Sequence, residues 1–153
     1  MARPAIKVNP WVTVGKSKIH GKGLFASKRI PKGTRVIEYL GEHITHQEAD
    51  DRYGDDDQNN NHTFLFVLNK KIVIDATLQG NDARYINHIC EGNCESSIDG
   101  ARIFIDSARV IQKGEELGYD YELGRDEYDP PNIDEIFACH CGSLKCRSTM
   151  LFP

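Results

Sequence analysis

"RYINHICEGNC", residues 84–94, sets an arginine, an Asn–His pair and two cysteines within eleven residues. The other three cysteines wait until "CHCGSLKC", residues 139–146. Five is an odd number, which fits poorly with a secreted disulfide framework. Metal is the better explanation. Three thiolates at C-x-C-x4-C spacing, Cys139, Cys141 and Cys146, can occupy three corners of a tetrahedron around Zn2+, with Gly142 letting the backbone turn tightly. Candidates for the fourth corner are His140, Cys90 and Cys94, and the last two lie in the opening stretch. A metal could therefore pin the C-terminal tail against residues 84–94, with its binding free energy stabilising the dock.

At 153 residues the chain is the size of one domain and can bury a sizeable core. It has no run of eighteen apolar residues, and Pro, Asn and Lys interrupt "MARPAIKVNPWVTVGKSK" (1–18) throughout. The chain reads as soluble and intracellular, with no membrane partner. The net charge of −4 conceals a dipole: residues 1–37 hold nine Lys/Arg and no acid, while residues 38–135 hold all 23 acids against eight Lys/Arg. An acidic body argues against nucleic acid as a direct ligand, although the basic N-terminus leaves that reading open as an alternative. The acidic face could instead steer a Lys-rich substrate.

Apolar runs are short, rich in Val and Ile, and punctuated by Gly, Pro and Asn, which is a β pattern. The expected strands are 11–14, 24–27, 35–40, 64–68, 72–75, 102–105, 108–111 and 117–121, with "NKK" (69–71) as a hairpin turn. One helix is expected over "THQEADDRYG" (45–54), capped by Thr45 with Glu48 three residues on and ended by Gly54. A second short helical piece is expected in "GNDARYINH" (80–88). "DDDQNNN" (55–61) reads as a polar loop, and "GRDEYDPPNIDE" (124–135) as an acidic, Pro-containing linker.

Several pieces are weak alone. "HGKGLF" (20–25) is a G-x-G before an apolar strand and lacks a full phosphate-loop pattern. Tyr119 and Tyr121 in "GYDY" (118–121) share one face of a strand, where packing is the usual role, and their phenols could instead orient an amine. Tyr39 poses the same alternative, and Asn87 and His88 could simply satisfy buried backbone.

Order decides what single motifs do not. "HGKGLF", "VIEYLGE" (36–42), "FLFVL" with "IVIDAT" (64–77), "GNDARYINHICEGNC" (80–94), "KGEELGYDY" (113–121) and "CHCGSLKC" together resemble the SET-domain protein lysine methyltransferases with a post-SET zinc segment, most closely the trithorax type of histone methyltransferase. The resemblance covers residues 13–148. It implies a mainly β fold of several short sheets, little helix and a knot-like C-terminal threading. The implied organisation is an N-terminal tail (1–12), a SET domain (13–123), an acidic linker (124–136) and a post-SET zinc segment (137–153).

The resemblance also implies cofactors, S-adenosylmethionine and Zn2+, and residues for each. His20, Gly21, Lys22 and Gly23 match the turn that receives the methionine part, and Arg84, Asn87 and His88 match the R-[FY]-x-N-H motif, whose Asn and His bind the cofactor. Phe64 falls beside the cofactor, and His140 falls where the family's tail touches the adenosine. Cys90 would complete the zinc site with Cys139, Cys141 and Cys146. Tyr121 becomes the catalytic tyrosine and Tyr39 lines the lysine channel. Tyr119, at the position that influences methyl number, implies mono- or dimethylation. The implied partner is a lysine-bearing protein or peptide, such as a histone tail, met in the nucleus of a eukaryote, or in the cytoplasm or as a secreted effector of a bacterium. Four positions depart from the family pattern: Ile89 for Ser, Gly92 for Pro, Gly118 for Thr and Phe64 for Tyr. They keep a second expectation alive, a zinc-stabilised binding module without turnover.

Overall fold

The structure, a computed structural model, describes residues 9–53, 64–125 and 127–153. Its strands are β1 (Val12–Lys16), β2 (Lys22–Ala26), β3 (Arg35–Tyr39), β4 (Glu42–Thr45), β5 (Leu65–Val67), β6 (Ile72–Asp75), β7 (Asn87–His88), β8 (Cys94–Asp99), β9 (Arg102–Ser107) and β10 (Gly118–Tyr119). Helix is confined to α1 (His46–Tyr53), α2 (Ala76–Gln79), α3 (Ile133–Ile136) and a 3-10 turn at Asp82–Tyr85. Two three-stranded antiparallel sheets, β3–β9–β8 and β4–β6–β5, accompany the β1–β2 hairpin and the parallel pair β10–β7. The chain is thus mainly β in small sheets, as expected. No described helix is long and apolar enough to cross a membrane.

The apolar runs build these elements by burial. β9 is the central strand of its sheet and buries Ile103, Phe104 and Ile105 in succession, as a strand covered on both faces does. Leu24, Ile30, Ile86, Ile111 and Leu117 join Ile103 and Ile105 in one core with no more than 1% of their surface exposed. Asn69 makes the hairpin between β5 and β6 by accepting from the Lys71 and Ile72 N–H groups, both at 2.8 Å. Thr45 caps α1, its Oγ1 accepting from the Glu48 N–H at 3.1 Å. The expected end of this helix at Gly54 and the loop 55–61 lie outside the described residues.

Three local expectations change. Residues 108–111 form bends with a single bridge, Ile111 to Ile30, because Ala108 leaves the sheet to donate to the Asn93 carbonyl. The strand expected over 117–121 shortens to β10, since Leu117 bonds to Leu24 of β2 while the Tyr121 N–H turns to His88. The helical piece in 80–88 is a 3-10 turn followed by strand β7. β4, β8, α2 and α3 appear in addition.

What positions the site is the path of residues 115–119. Ala26 donates to the Glu115 carbonyl at 2.9 Å and Leu117 donates to the Leu24 carbonyl at 2.8 Å, while β10 pairs with β7 on the other side. This late segment is inserted between two earlier elements, β2 and β7.

Candidate active site and cysteine cluster

Between β1 and β2 the chain turns back at Ser17–Gly21, where the Ser17 N–H donates to the Gly21 carbonyl at 2.8 Å. Gly21 has φ +46°, the left-handed region open to glycine. Ser17 Oγ donates to the Glu116 carboxylate at 2.6 Å, and Asn87 Nδ2 lies 3.1 Å from the carbonyl oxygens of both His20 and Lys22. An amide nitrogen carries two hydrogens, and Asn87 Nδ2 uses them to hold this turn against β7.

Beneath the turn lies a cavity of about 420 Å³, within the range of ligand pockets. His20, Gly21, Lys22, Phe64, Arg84, Asn87, His88 and Tyr121 line it, and Ile136, Ala138, Cys139, His140 and Met150 close it from the C-terminal side. Every residue expected at a cofactor is therefore on its wall except Gly23, which is buried in β2, where a Cβ would crowd the Glu116 carboxyl at 3.0 Å. The Arg84 guanidinium donates to the Ala76 and Thr77 carbonyls and to the Tyr85 hydroxyl, the last at 2.8 Å. Its Nε is buried with no hydrogen-bond partner among the described residues.

A second cavity of about 370 Å³ opens on the other side. Tyr39, Phe66, Ile86 and Tyr119 line its interior, with half-exposed Val67 and Ile98 also on its wall. Phe64, Arg84 and Tyr121 line both cavities, so Tyr121 stands where they adjoin. Its ring centroid is 5.0 Å from that of Tyr119, and Phe66 packs 5.2 Å from Tyr39 and 6.0 Å from Tyr119. The Tyr121 hydroxyl donates to the Ile86 carbonyl, which leaves its oxygen lone pairs as acceptors. Burial pushes the hydroxyls of Tyr39, Tyr119 and Tyr121 well above the usual phenol range. All three are neutral at physiological pH and none is a phenolate base.

Both nitrogens of the His88 ring are engaged within the protein. Its Nδ1 accepts from the Tyr121 N–H at 3.0 Å, so in the neutral ring Nε2 carries the proton and donates to Cys90 Sγ at 3.4 Å. Burial lowers the His88 pKa, with Asp120 opposing, and so favours this neutral form.

Cys90, Cys139, Cys141 and Cys146 bring their sulfurs within 4.8 Å of one another, and Cys90 Sγ lies 3.7 Å from Cys139 Sγ. A tetrahedron with metal–sulfur bonds of about 2.3 Å has sulfurs about 3.8 Å apart, so the donor set and spacing fit Zn2+. Burial raises the thiol pKa of Cys90 and Cys139. Burial also opposes ionisation of Cys141, but hydrogen bonds from Ser143 outweigh it and bring the thiol down to about 6. Of the candidates for a fourth corner, Cys90 joins the group, while His140 lines the first cavity. Cys94 sits buried in β8, its thiol pushed up to about 12 by burial.

Sequence reasoning gave no role to Ser17, Asp120 or Arg147. Arg147 follows Cys146 directly and pairs with Asp120 at 2.8 and 3.2 Å through two guanidinium nitrogens, while its N–H donates to Cys90 Sγ at 3.4 Å. Burial pushes the Asp120 pKa upward, and the Arg147 guanidinium more than offsets it, holding the carboxyl below its usual range. Asp120 lies between Tyr119 and Tyr121, so one residue joins the cysteine cluster to the segment bearing both tyrosines. A charge between two tyrosines and an arginine beside a cysteine are visible signals, but only the fold pairs them.

Comparison with known proteins agrees with this geometry. The model of the SET domain matches residues 21–122. The chain is 41% identical over 143 residues to human histone-lysine N-methyltransferase 2D, covering 91% of this chain and 2% of that protein. It is 41% identical over 141 residues to histone-lysine N-methyltransferase trithorax of Drosophila melanogaster, covering 90% of this chain and 4% of that protein. Against the histone-lysine N-methyltransferase, H3 lysine-4 specific, of Schizosaccharomyces pombe it is 41% identical over 145 residues, 87% of this chain and 14% of that protein. The chain thus spans only a small part of the length of these relatives. The match covers two thirds of its residues, including β2, β7 and residues 118–121, and the chain belongs to the SET domain family.

Proposed function

We propose that this chain transfers a methyl group from S-adenosylmethionine to a lysine side chain of a protein, with histones as the substrate class. The observation that carries the reading is the pair of cavities adjoining at Tyr121, one of cofactor size with a mixed polar and apolar lining, the other with Tyr39, Phe66 and Tyr119 in its interior. His20, Gly21, Lys22, Phe64, Arg84, Asn87, His88 and His140 are the residues proposed to surround the cofactor. The unpartnered Arg84 Nε and the mixed polar and apolar lining suit a ligand that is charged at one end and aromatic at the other. Bound there, S-adenosylmethionine supplies a methyl group on a positively charged sulfur.

The protein's own contribution is positioning and dryness. Lysine in water has a pKa near 10.4, and only the neutral amine is a nucleophile. Tyr39, Phe66 and Tyr119 pack their rings together in the interior of the second cavity, where desolvation favours that neutral form. Tyr121 presents an oxygen that accepts from the amine N–H and so aims its lone pair toward the first cavity. Orientation of this kind lowers barriers by several kcal/mol, up to roughly 7–11 in ideal cases. Because the three phenols hold their protons, the amine's proton leaves to solvent rather than to a tyrosine. Residues 13–123 would form the catalytic body, 124–136 an acidic linker, and 137–153 a cap held by Zn2+ on Cys90, Cys139, Cys141 and Cys146. Methylation of histones places such an enzyme in the nucleus if the source is a eukaryote.

The test is transfer of isotope-labelled methyl from S-adenosylmethionine to core histones, with Tyr121→Phe alongside. Label on lysine that disappears in the variant supports the reading. No label, from protein that binds both cofactor and zinc, overturns it in favour of a binding module.

A further inference from the structure

Ile89, Gly92 and Gly118 depart from the family pattern separately in sequence, yet they meet in space. β10 pairs with β7 so that Gly118 faces Asn87 and Tyr119 faces His88, and the next residue, Ile89, donates its N–H to the Tyr119 carbonyl at 3.2 Å. A Cβ on Gly118 would lie inside the van der Waals envelope of Ile89 Cδ1 and Cγ1. A Cβ on Gly92 would fall 2.5 Å from the Gly118 oxygen and 2.7 Å from Tyr119 Cα. Asn93 completes the clamp, its Oδ1 accepting from the Gly118 N–H at 3.0 Å and its Nδ2 donating to the Glu116 carbonyl at 2.9 Å.

The two glycines are therefore bare for different reasons. At Gly118 the missing side chain is replaced by that of Ile89, whose β-branching leaves χ1 few alternatives. At Gly92 the obstacle is backbone, which no rotamer change removes, so any side chain there must displace the Cα that carries Tyr119. None of the three residues lines either cavity. Tyr119 itself is 5% exposed and faces only the second cavity, the lysine side.

We infer that Ile89, Gly92 and Gly118 are one positioning unit, in which the Ile89 side chain seated on Gly118 and the close approach of Gly92 set the depth of Tyr119 in the lysine slot. The inference rests on the methyltransferase reading and assigns these residues to substrate placement and methyl number, not to cofactor binding. It also makes the departures interdependent: a side chain at 118 is compatible with this loop only when Ile89 is cut back.

The experiment uses zinc-loaded protein and four forms: wild type, Ile89→Ala, Gly118→Ala and the double variant. For each, the measurements are the thermal midpoint, the cofactor dissociation constant, lysine-peptide affinity, and the ratio of mono- to dimethyl product by mass spectrometry. Gly118→Ala is expected to weaken peptide affinity or kcat/KM by about tenfold and to shift the product ratio, as contacting residues couple at this scale. Cofactor affinity stays within about twofold, and the double variant recovers to within about threefold of Ile89→Ala. Additive losses, an unmoved product ratio, or equal damage to cofactor binding overturn the inference. If Gly118→Ala does not fold, a folded double variant supports the unit and an unfolded one overturns it. Should the wild type transfer no methyl, the functional reading fails by itself, while midpoints and peptide affinities across the four forms still decide the coupling.

Discussion

The two walls of the first cavity are held by different physics. On one side β1, β2, β7 and residues 115–119 form hydrogen-bonded strands backed by Leu24, Ile86 and Leu117, all within 1% of full burial. On the other side, residues 137–153 contribute only Cys139 and Leu151 to the buried apolar residues, among those described. Their β contacts are single bridges, Ala138 to Thr149 and Leu123 to Leu151. The first wall is made by the hydrophobic effect, whereas the second depends on four sulfurs and two ion pairs, Arg147 to Asp120 at 2.8 Å and the more exposed Lys145 to Glu91 at 3.7 Å. The cavity is thus assembled only when the cysteine cluster is, and cofactor binding should inherit the properties of a metal site.

The largest effect tests the side of the comparison that needs no metal. Tyr121→Phe removes the acceptor at the junction of the cavities and leaves the Ile86 carbonyl without its donor. We expect turnover to fall by at least about a hundredfold, the scale at which lost orientation acts, with cofactor affinity within about threefold and zinc unchanged. Isotope-labelled transfer and calorimetry check this together. Unchanged turnover would remove Tyr121 from the mechanism.

The next effect strikes the wall held by the cysteine cluster. Chelation or Cys146→Ser should loosen residues 139–153 while the strands stay folded, and cofactor affinity should drop by at least about tenfold. Amide hydrogen exchange would show fast exchange confined to that segment. Metal content near one zinc per chain is expected in the intact protein, and none would break the comparison at its root. Smaller again is the effect of Arg147→Ala, which cuts the link between the walls. Zinc should remain bound, since no ligand is lost, while kcat falls several-fold as Asp120 loses the Arg147 guanidinium and the backbone between Tyr119 and Tyr121 relaxes. Arg147→Lys should restore part of this, because one of two hydrogen bonds can re-form.

What could be read from the sequence follows the same division. Strands β2, β3, β6 and β9 announce themselves by Val, Ile and Leu runs because burial shaped them. β8 escaped because its "CESSID" is polar on an edge, although Asp99–Gly100 ahead of β9 is a turn signal, and Gly100 does adopt φ +61°. The three C-terminal cysteines were legible as a metal half-site from spacing alone, but spacing left His140, Cys90 and Cys94 level as the fourth partner. Only the fold, or resemblance, separates them. The Arg147–Asp120 pair spans 27 residues and no periodicity marks it. Asn87 shows the opposite limit: its motif was recognised, but its amide proves to hold the His20–Lys22 turn.

The smallest effect concerns the strand-built side alone. Burial raises Tyr39 and Tyr119 above the phenol range, so the folded state keeps protons that the unfolded chain releases near pH 10. Below pH 10 both states are protonated and the tyrosines contribute nothing to pH dependence. Above it the folded state binds more protons than the unfolded, and stability falls as pH rises, by less than about 1 kcal/mol per tyrosine at pH 10.5. Denaturant unfolding between pH 8 and 11 should therefore show a downward slope that Tyr39→Phe makes shallower, with the two proteins running parallel below pH 9.5. The zinc content should not alter that difference, because Tyr39 belongs to the apolar core and touches neither the sulfurs nor the C-terminal segment. A slope that Tyr39→Phe leaves unchanged would mean the slot admits water, and the desolvation argued for a substrate lysine would fail with it.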